Sequence, residues 1–174
     1  MYDTPSSHQS ISLIGMPGSG KSTVGVILAK HTGLRFVDTD LAIQELQQGT
    51  LQQILDRHGY RYLRRVEEQV LLKLDLQHAV IATGGSVIYS EAIMQRLSST
   101  SQIIYLAASL TTLTRRVTEA PNRGIASDPN AQFEDIFSER VPLYERWADI
   151  TISSDRSRPE RLVQQIIQAI NSGN

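Results

Sequence analysis

A segment near the start of the chain has the residues and spacing needed to bind the phosphates of a nucleotide. Residues 15–22 read GMPGSGKS and match G-x-x-x-x-G-K-[ST], after an apolar run and at the start of a helical pattern. In such an exposed loop, backbone N–H groups converge on phosphate oxygens, Lys21 can bridge the β- and γ-phosphates, and Ser22 can bind Mg²⁺. A glycine-rich turn that merely caps a helix would not need Lys followed by Ser. The residues predicted to bind ATP are Gly15, Gly18, Ser19, Gly20, Lys21, Ser22 and Thr23.

Two aspartates stand one residue apart at the end of the next apolar run, in the sequence FVDTD. Open α/β folds bind ligands at the carboxyl edge of the sheet, so both carboxylates are expected there. Asp38, nearer the strand, could hold Mg²⁺, while Asp40 could orient an acceptor hydroxyl and accept its proton. Aspartate is also a frequent N-cap, so either residue could instead only cap the helix that begins near residue 41.

Two glycines, Gly84 and Gly85, follow a third apolar run. A chain without side chains can approach a bound substrate closely at this point. The alternative interpretation is an ordinary turn.

These residues must be positioned by elements that alternate between short strand-like runs and longer helical ones, the pattern of parallel βα units. The predicted strands are residues 11–14, 35–37, 79–82, 102–106 and 150–152. The predicted helices are residues 21–31, 41–47, 51–58, 60–76, 91–97, 110–118, 132–147 and 159–170. We therefore expect an α/β fold of three layers, in which helices flank a five-stranded parallel sheet.

Two segments exceed a simple repeat of strand and helix. Residues 41–76 form a helical block that is too long for one crossover, and we expect it to project as a cap that binds the acceptor. Residues 119–131, EAPNRGIASDPNA, are polar and rich in Pro, Gly and Asn, which is typical of a functional lid or a disordered loop. Both segments are expected to belong to one domain that spans residues 1–174.

Composition excludes several classes of function. Charged residues make up 20% of the chain and nearly cancel, to a net charge of −1, which argues against nucleic acid or an anionic membrane as partner. The absence of cysteine excludes disulfides and thiolate chemistry, and the four histidines show no metal-ligand spacing. The first ten residues lack the pattern of a secretory signal, and the apolar runs are far shorter than the roughly 20 residues of a membrane span. We expect a cytoplasmic monomer that binds a small molecule.

Five motifs occur in the order and at the spacing of the shikimate kinases, which this sequence resembles over residues 11–170. They are GMPGSGKST, FVDTD, GYRYLRRVE, VIATGG and ERVPLYERWAD. The first is shared with many nucleotide-binding proteins, whereas the combination is much more specific. The resemblance implies a P-loop fold like that of the nucleoside monophosphate kinases. It also implies ATP-dependent phosphorylation of the 3-hydroxyl of shikimate, a step of the shikimate pathway to the aromatic amino acids.

The resemblance also implies roles for residues at the acceptor. Asp40 is similar to the family's catalytic carboxylate, and Asp38 to the residue that supports magnesium. Arg64 and Arg140 resemble the pair that grips the substrate carboxylate, for which a guanidinium fork is suited because it makes two charge-assisted hydrogen bonds. From local sequence alone, Arg64 could be a solvated surface arginine and Arg140 could pair with a neighbouring glutamate.

At the nucleotide, the resemblance implies that Arg123, in the lid, lies over the β- and γ-phosphates and contributes to catalysis. Arg116 and Pro159 resemble the two residues that sandwich adenine. Pro159 is equally well placed as the first residue of the last helix.

The sequence departs from the family at positions that bear on the acceptor. Ser86 replaces the usual third glycine of a GGG run, and its hydroxyl must either point away or find a hydrogen-bond partner. The lid reads NRGI at residues 122–125 in place of the usual R-P-L-L, and Leu63 stands where phenylalanine is usual.

The remaining charges of the helical block are interpreted as a solvated helix face. They are Arg57, Arg61, Glu67 and Glu68.

Two other functions remain compatible with these residues. One is a kinase for another small hydroxy acid or alcohol, such as gluconate or homoserine. The other is a regulatory module that binds a nucleotide without catalysis. The pair Asp38 and Asp40 argues against the second, because a nucleotide binder needs only the P-loop.

Overall fold

A computed structural model of the chain describes residues 10–120 and 124–172. The strands are β1 (Ile11–Ile14), β2 (Arg35–Asp38), β3 (Ala79–Ala82), β4 (Gln102–Ala107) and β5 (Ile150–Ser153). The helices are α1 (Lys21–Thr32), α2 (Thr39–Gln47), α3 (Leu51–His58), α4 (Tyr60–Lys73), α5 (Glu91–Thr100), α6 (Leu110–Thr118), α7 (Phe133–Trp147) and α8 (Pro159–Ser172). A 3-10 helix, Val87–Tyr89, lies between β3 and α5.

The five strands form one parallel sheet in the order β2-β3-β1-β4-β5, with helices on both faces. The predicted fold class is therefore confirmed. The central strand β1 pairs with β3 on one side and with β4 on the other. The strands after β1 are therefore added first on one side of it and then on the other, which makes β1 the topological switch point of the sheet. Ligands of doubly wound folds bind at such a switch point, and the loop that leaves β1 is the predicted P-loop.

Side-chain alternation along the buried strands divides the core into two layers. On β1, Leu13 packs with helices α1 and α8, whereas Ile14 packs with α4, α5 and α7 on the opposite face. All residues of β1 and β3 are buried, as expected for a parallel sheet that is covered on both sides. This packing fixes the carboxyl ends of β1, β2 and β3, where the predicted site residues begin.

The segment predicted as a cap contains α2, α3 and α4, which pack against one another. Helix α2 begins at Thr39 rather than at residue 41, because the Asp38 carboxylate accepts the N–H groups of Asp40 and Leu41 as its N-cap. Helix α4 ends at Lys73, three residues before the predicted end, because the backbone becomes extended at Leu74. Within the two described ranges, no helix is both long and apolar enough to cross a membrane.

Candidate functional site

The predicted P-loop connects β1 to α1 through a backbone that requires glycine. Gly15, Gly18 and Gly20 have φ values of 147°, 86° and 98°, in the left-handed region that residues with a side chain rarely adopt. At Gly15 a Cβ atom would also lie 2.8 Å from the carbonyl oxygen of Leu106. Gly20 is the N-cap of α1 and cannot cap it through a side chain. The N–H groups of the first turn therefore remain available to an anion.

Lys21 is the first residue of α1, and its side chain is buried, not exposed as the sequence led us to expect. Its ammonium group donates to the carbonyl oxygens of Gly15 at 2.8 Å and of Met16 at 3.0 Å. The side chain is thus folded back over the loop, beside the cavity that it lines. These two bonds hold the ammonium group at the P-loop end of the cavity.

Ser22 and Asp38 form a pair of oxygen ligands that meet between α1 and β2. The Ser22 hydroxyl donates to Oδ2 of Asp38 at 2.6 Å, while Oδ1 of Asp38 caps α2. The capping alternative therefore holds for Asp38 and not for Asp40, although one Asp38 oxygen still faces Ser22. Mg²⁺ prefers oxygen ligands and is commonly bound by one or two protein groups together with substrate phosphates and water. Among the described residues, no group of three or more His, Asp or Glu side chains could hold a metal ion.

Asp40 lines a cavity of about 720 Å³ that it shares with the P-loop. Burial, and then the neighbouring Asp38 carboxylate, raise the pKa of Asp40 to about 6, and Lys21 acts in the opposite direction. A carboxylate with a pKa close to neutrality is a better proton acceptor than one with an ordinary pKa. Its place in the cavity and its basicity both suit activation of an acceptor hydroxyl.

Gly84 and Gly85 are needed for space rather than for unusual backbone angles, since neither has a positive φ. A Cβ atom on Gly84 would overlap Oε1 of Glu67 and would lie 3.0 Å from Oδ1 of Asp40. A Cβ on Gly85 would lie 2.9 Å from Pro17 and 3.1 Å from a nitrogen of Arg140. The two glycines therefore allow the P-loop to converge with Asp40, Glu67 and Arg140, which an ordinary turn would not require.

The interpretation of Glu67 as part of a solvated face is wrong. Its side chain is only 3% exposed, lines the cavity, and accepts a hydrogen bond from the Ser86 hydroxyl at 2.5 Å. Burial raises the pKa of Glu67 to about 7; the Ser86 bond lowers it, as do Arg140 and Arg64, and the Asp40 carboxylate raises it.

A signal for Glu67 was present in the sequence. Leu63, Val70 and Leu71 are buried on α4 and lie four residues before, three after and four after Glu67. This spacing places Glu67 on the inner face of the helix. Arg57 and Arg61 are exposed as expected, and Glu68 is half-buried and accepts a hydrogen bond from Ser90.

Arg64 and Arg140 come from α4 and α7 and direct their guanidinium groups at one atom. Both donate to the carbonyl oxygen of Ala126, Arg64 at 2.9 and 3.2 Å and Arg140 at 2.8 Å. Arg64 also stacks on the ring of Tyr89, 3.9 Å from its centroid, and Arg140 is buried. In the described part of the chain neither arginine forms a salt bridge. Arg64 is therefore not a solvated surface arginine, and Arg140 is not paired with a neighbouring glutamate.

Arg116 and Pro159 line the same cavity as Arg140. Arg116 donates to the carbonyl oxygens of Gly18 at 3.1 Å and of Ser154 at 2.8 Å, which holds its planar group beside the P-loop. Pro159 lines the same cavity and is also the first residue of α8. Arg123 lies outside the described residues.

The cavity brings together most of the residues predicted from the sequence. Those that line it are Gly18, Ser19, Gly20, Lys21, Ser22, Thr23, Asp40, Gly84, Gly85, Arg116, Arg140 and Pro159. Three of the predicted residues do not line the cavity, but each is bonded to a residue that does. Gly15 is bonded to Lys21 and Asp38 to Ser22. Arg64 is bonded to the carbonyl oxygen of Ala126.

Comparison with known proteins gives a consistent result. The family model described as "Shikimate kinase" matches residues 17–171. A shikimate kinase of Paracidovorax citrulli is 37% identical over 163 residues, which cover 90% of this chain and 89% of that protein. One from Mycobacterium avium is 34% identical over 161 residues and 91% of each chain. A solved shikimate kinase of Acinetobacter baumannii in complex with shikimate superposes with a TM-score of 0.89 at 30% identity, covering 99% of this chain and 96% of that one.

Proposed function

The chain belongs to the shikimate kinase family, and from that premise we propose how its residues carry out the ATP-dependent phosphorylation of the 3-hydroxyl of shikimate. The observation that carries the proposal is one cavity that joins the P-loop to Asp40 and Arg140. A phosphate donor at one end and an acceptor at the other would meet within it. Enzymes achieve phosphoryl transfer mainly by such positioning and by stabilising charge.

ATP occupies the nucleotide end in this proposal. Its phosphates lie on the N–H groups at the start of α1, and adenine lies between Arg116 and Pro159. Lys21 stabilises negative charge on the transferring phosphoryl group, because its ammonium group is already held beside the loop.

Ser22 and Asp38 are the residues that would hold Mg²⁺, since their oxygens are already in contact. A metal ion held by these two residues would neutralise part of the negative charge of the phosphates. Asp38 has a second task in the protein, because its other oxygen fixes the start of α2 and with it the position of Asp40.

Shikimate occupies the other end, where Asp40 orients its 3-hydroxyl and accepts the proton. Arg64 and Arg140 bind its carboxylate. The convergence of both guanidinium groups on the Ala126 carbonyl supports this assignment, because two groups that reach one oxygen can also reach one carboxylate. Gly84 and Gly85 keep the floor of this end free of side chains.

A measurement of ADP release with a panel of acceptors tests the proposal. Shikimate should give a higher kcat/KM than gluconate, homoserine or any nucleoside monophosphate. Activity on another acceptor without activity on shikimate would mean that the fold serves a different substrate. No activity with any acceptor, in a protein that binds ATP, would favour the regulatory module instead.

A further inference from the structure

Ser86 is the position at which this chain departs from the family's glycine run, and the structure gives its hydroxyl a defined partner. The side chain is buried, lines the cavity, and donates to Oε2 of Glu67 at 2.5 Å. Its backbone has φ −93° and ψ −3°, angles that any residue can adopt. The serine is therefore not a strained replacement, and its hydroxyl is used within the protein.

The second oxygen of Glu67 lies on the other side of the same carboxyl group. Oε1 of Glu67 and Oδ1 of Asp40 both lie within 3.0 Å of the point where a Cβ atom of Gly84 would be. The Ser86 bond thus holds one Glu67 oxygen, while the other remains beside Asp40, at the acceptor end of the cavity.

We propose that Ser86 is a positioning residue for the acceptor: by holding Oε2 of Glu67, it directs Oε1 towards the hydroxyl groups of a polyhydroxylated substrate bound at Asp40. The inference rests on the proposed function and adds a determinant of acceptor binding to it. Asp40 would orient the hydroxyl that reacts, and Glu67 would accept a hydrogen bond from a neighbouring hydroxyl.

Within the described residues, the Ser86 hydroxyl is the hydrogen-bond donor to Glu67, while Arg140 and Arg64 act on this carboxyl group through their charge. The guanidinium groups of both arginines are directed at Ala126. Without the hydroxyl, Oε2 would be a buried acceptor without a donor, which is costly for a carboxylate. The carboxyl group would rotate, which moves Oε1 from its position, or take up a proton, which weakens Oε1 as an acceptor.

The test compares Ser86→Ala and Ser86→Gly with wild type in steady-state kinetics with shikimate and ATP. Both variants should raise the KM for shikimate about tenfold, the size expected for loss of a hydrogen bond to a charged group. The KM for ATP should stay within about twofold, since the nucleotide end is untouched. An unchanged KM for shikimate, or an equal rise in both KM values, would overturn the proposal.

Ser90→Ala is a matched control, because Ser90 donates to Glu68 in a second serine–glutamate bond to α4, away from the cavity lining. It should leave the KM for shikimate unchanged even where it lowers the melting temperature through loss of the α5 N-cap.

The double variant Ser86→Ala with Glu67→Gln tests whether Ser86 acts on the acceptor through Glu67 or only through local packing. The amide presents no carboxylate to the acceptor, so adding Ser86→Ala to Glu67→Gln should raise the KM for shikimate by less than about twofold. If Ser86→Ala raised the KM for shikimate by the same factor in the Glu67→Gln variant as in wild type, the proposal would be refuted. Wild-type protein that is inactive with shikimate would instead refute the proposed function on which the inference rests.

Discussion

Lys21 lies at the P-loop end of the cavity because its side chain folds back over Gly15 and Met16. We expect Lys21→Met to lower kcat by roughly 100-fold or more, since methionine has a similar length but cannot stabilise a developing negative charge. The melting temperature should change less than the turnover, because methionine fills the same buried space. ADP release and a thermal melt measure both quantities, and near-normal turnover would show that the P-loop is not catalytic.

Asp40 and Asp38 have distinct positions, and their amide variants should have distinct effects. Asp40→Asn should lower kcat by about 10² or more, the range for loss of a general base, with little change in the KM for ATP. Asp38→Asn should instead raise the Mg²⁺ concentration needed for half-maximal rate. If Asp40→Asn raised the KM for ATP and left kcat unchanged, Asp40 would belong to the magnesium site.

The pKa of Asp40, raised to about 6 by burial and by Asp38, predicts a pH dependence. Only the charged carboxylate can accept the proton of the hydroxyl, so kcat/KM for shikimate should fall as the pH decreases through about 6. The residual activity of Asp40→Asn should lack this decrease. A wild-type profile that is flat from about pH 5 to pH 8 would contradict a catalytic Asp40.

At the scale of elements, the sequence predicts the strands and helices that follow a repeating apolar pattern. It does not predict features that depend on one hydrogen bond or one buried side chain. The strands are predicted within one residue because short apolar runs mark them, including the edge strands β2 and β5, which are only partly buried. The start of α2 is not, because it depends on which aspartate supplies the cap. The burial of Glu67 is not predicted because a charged residue on a helix is usually solvated. Its spacing from Leu63 and Val70 indicates burial only once it is known which face of α4 packs against the core.

The meeting of α4 and α7 at Ala126 makes a prediction about acceptor binding. Arg64→Ala or Arg140→Ala should raise the KM for shikimate tenfold or more, since each hydrogen bond to a charged group contributes roughly 1.5 to 3 kcal/mol. The KM for ATP should be spared. Arg65, the exposed neighbour of Arg64 on α4, is the control, and Arg65→Ala should change neither KM. An unchanged KM for shikimate in both test variants would refute the carboxylate clamp.

For the whole molecule, a parallel sheet covered by helices follows from the alternation of strands and helices, but the order of its strands and the cavity do not. The P-loop and Asp40 could be assigned to one edge of the sheet because parallel strands end there together. The Ala126 carbonyl could not be assigned, because a backbone oxygen has no signature in the sequence and its position depends on how residues 124–131 pack against α4 and α7. The Ser86–Glu67 bond likewise joins groups 19 residues apart.

Burial of Glu67 links the proposed acceptor site to the stability of the whole protein. Its pKa rises from 4.5 to about 7 in the folded state, chiefly through burial, so the folded protein binds this proton more tightly than the unfolded chain does. The free energy of unfolding should therefore decrease as the pH rises from about 4.5 to about 7, and the loss should be complete above that range.

Glu67→Gln removes the charge and should remove this loss of stability. In the absence of ligands, its melting temperature should exceed that of wild type by roughly 5 °C at about pH 8, whereas the difference should nearly vanish at about pH 5. Glu45→Gln, at an exposed carboxylate on α2, should keep the wild-type pH dependence. A Glu67→Gln variant that is less stable than wild type at about pH 8 would show that the charge of Glu67 stabilises the fold. In the expected case the variant gains stability and binds shikimate less tightly, because the group that costs folding energy is the one offered to the acceptor.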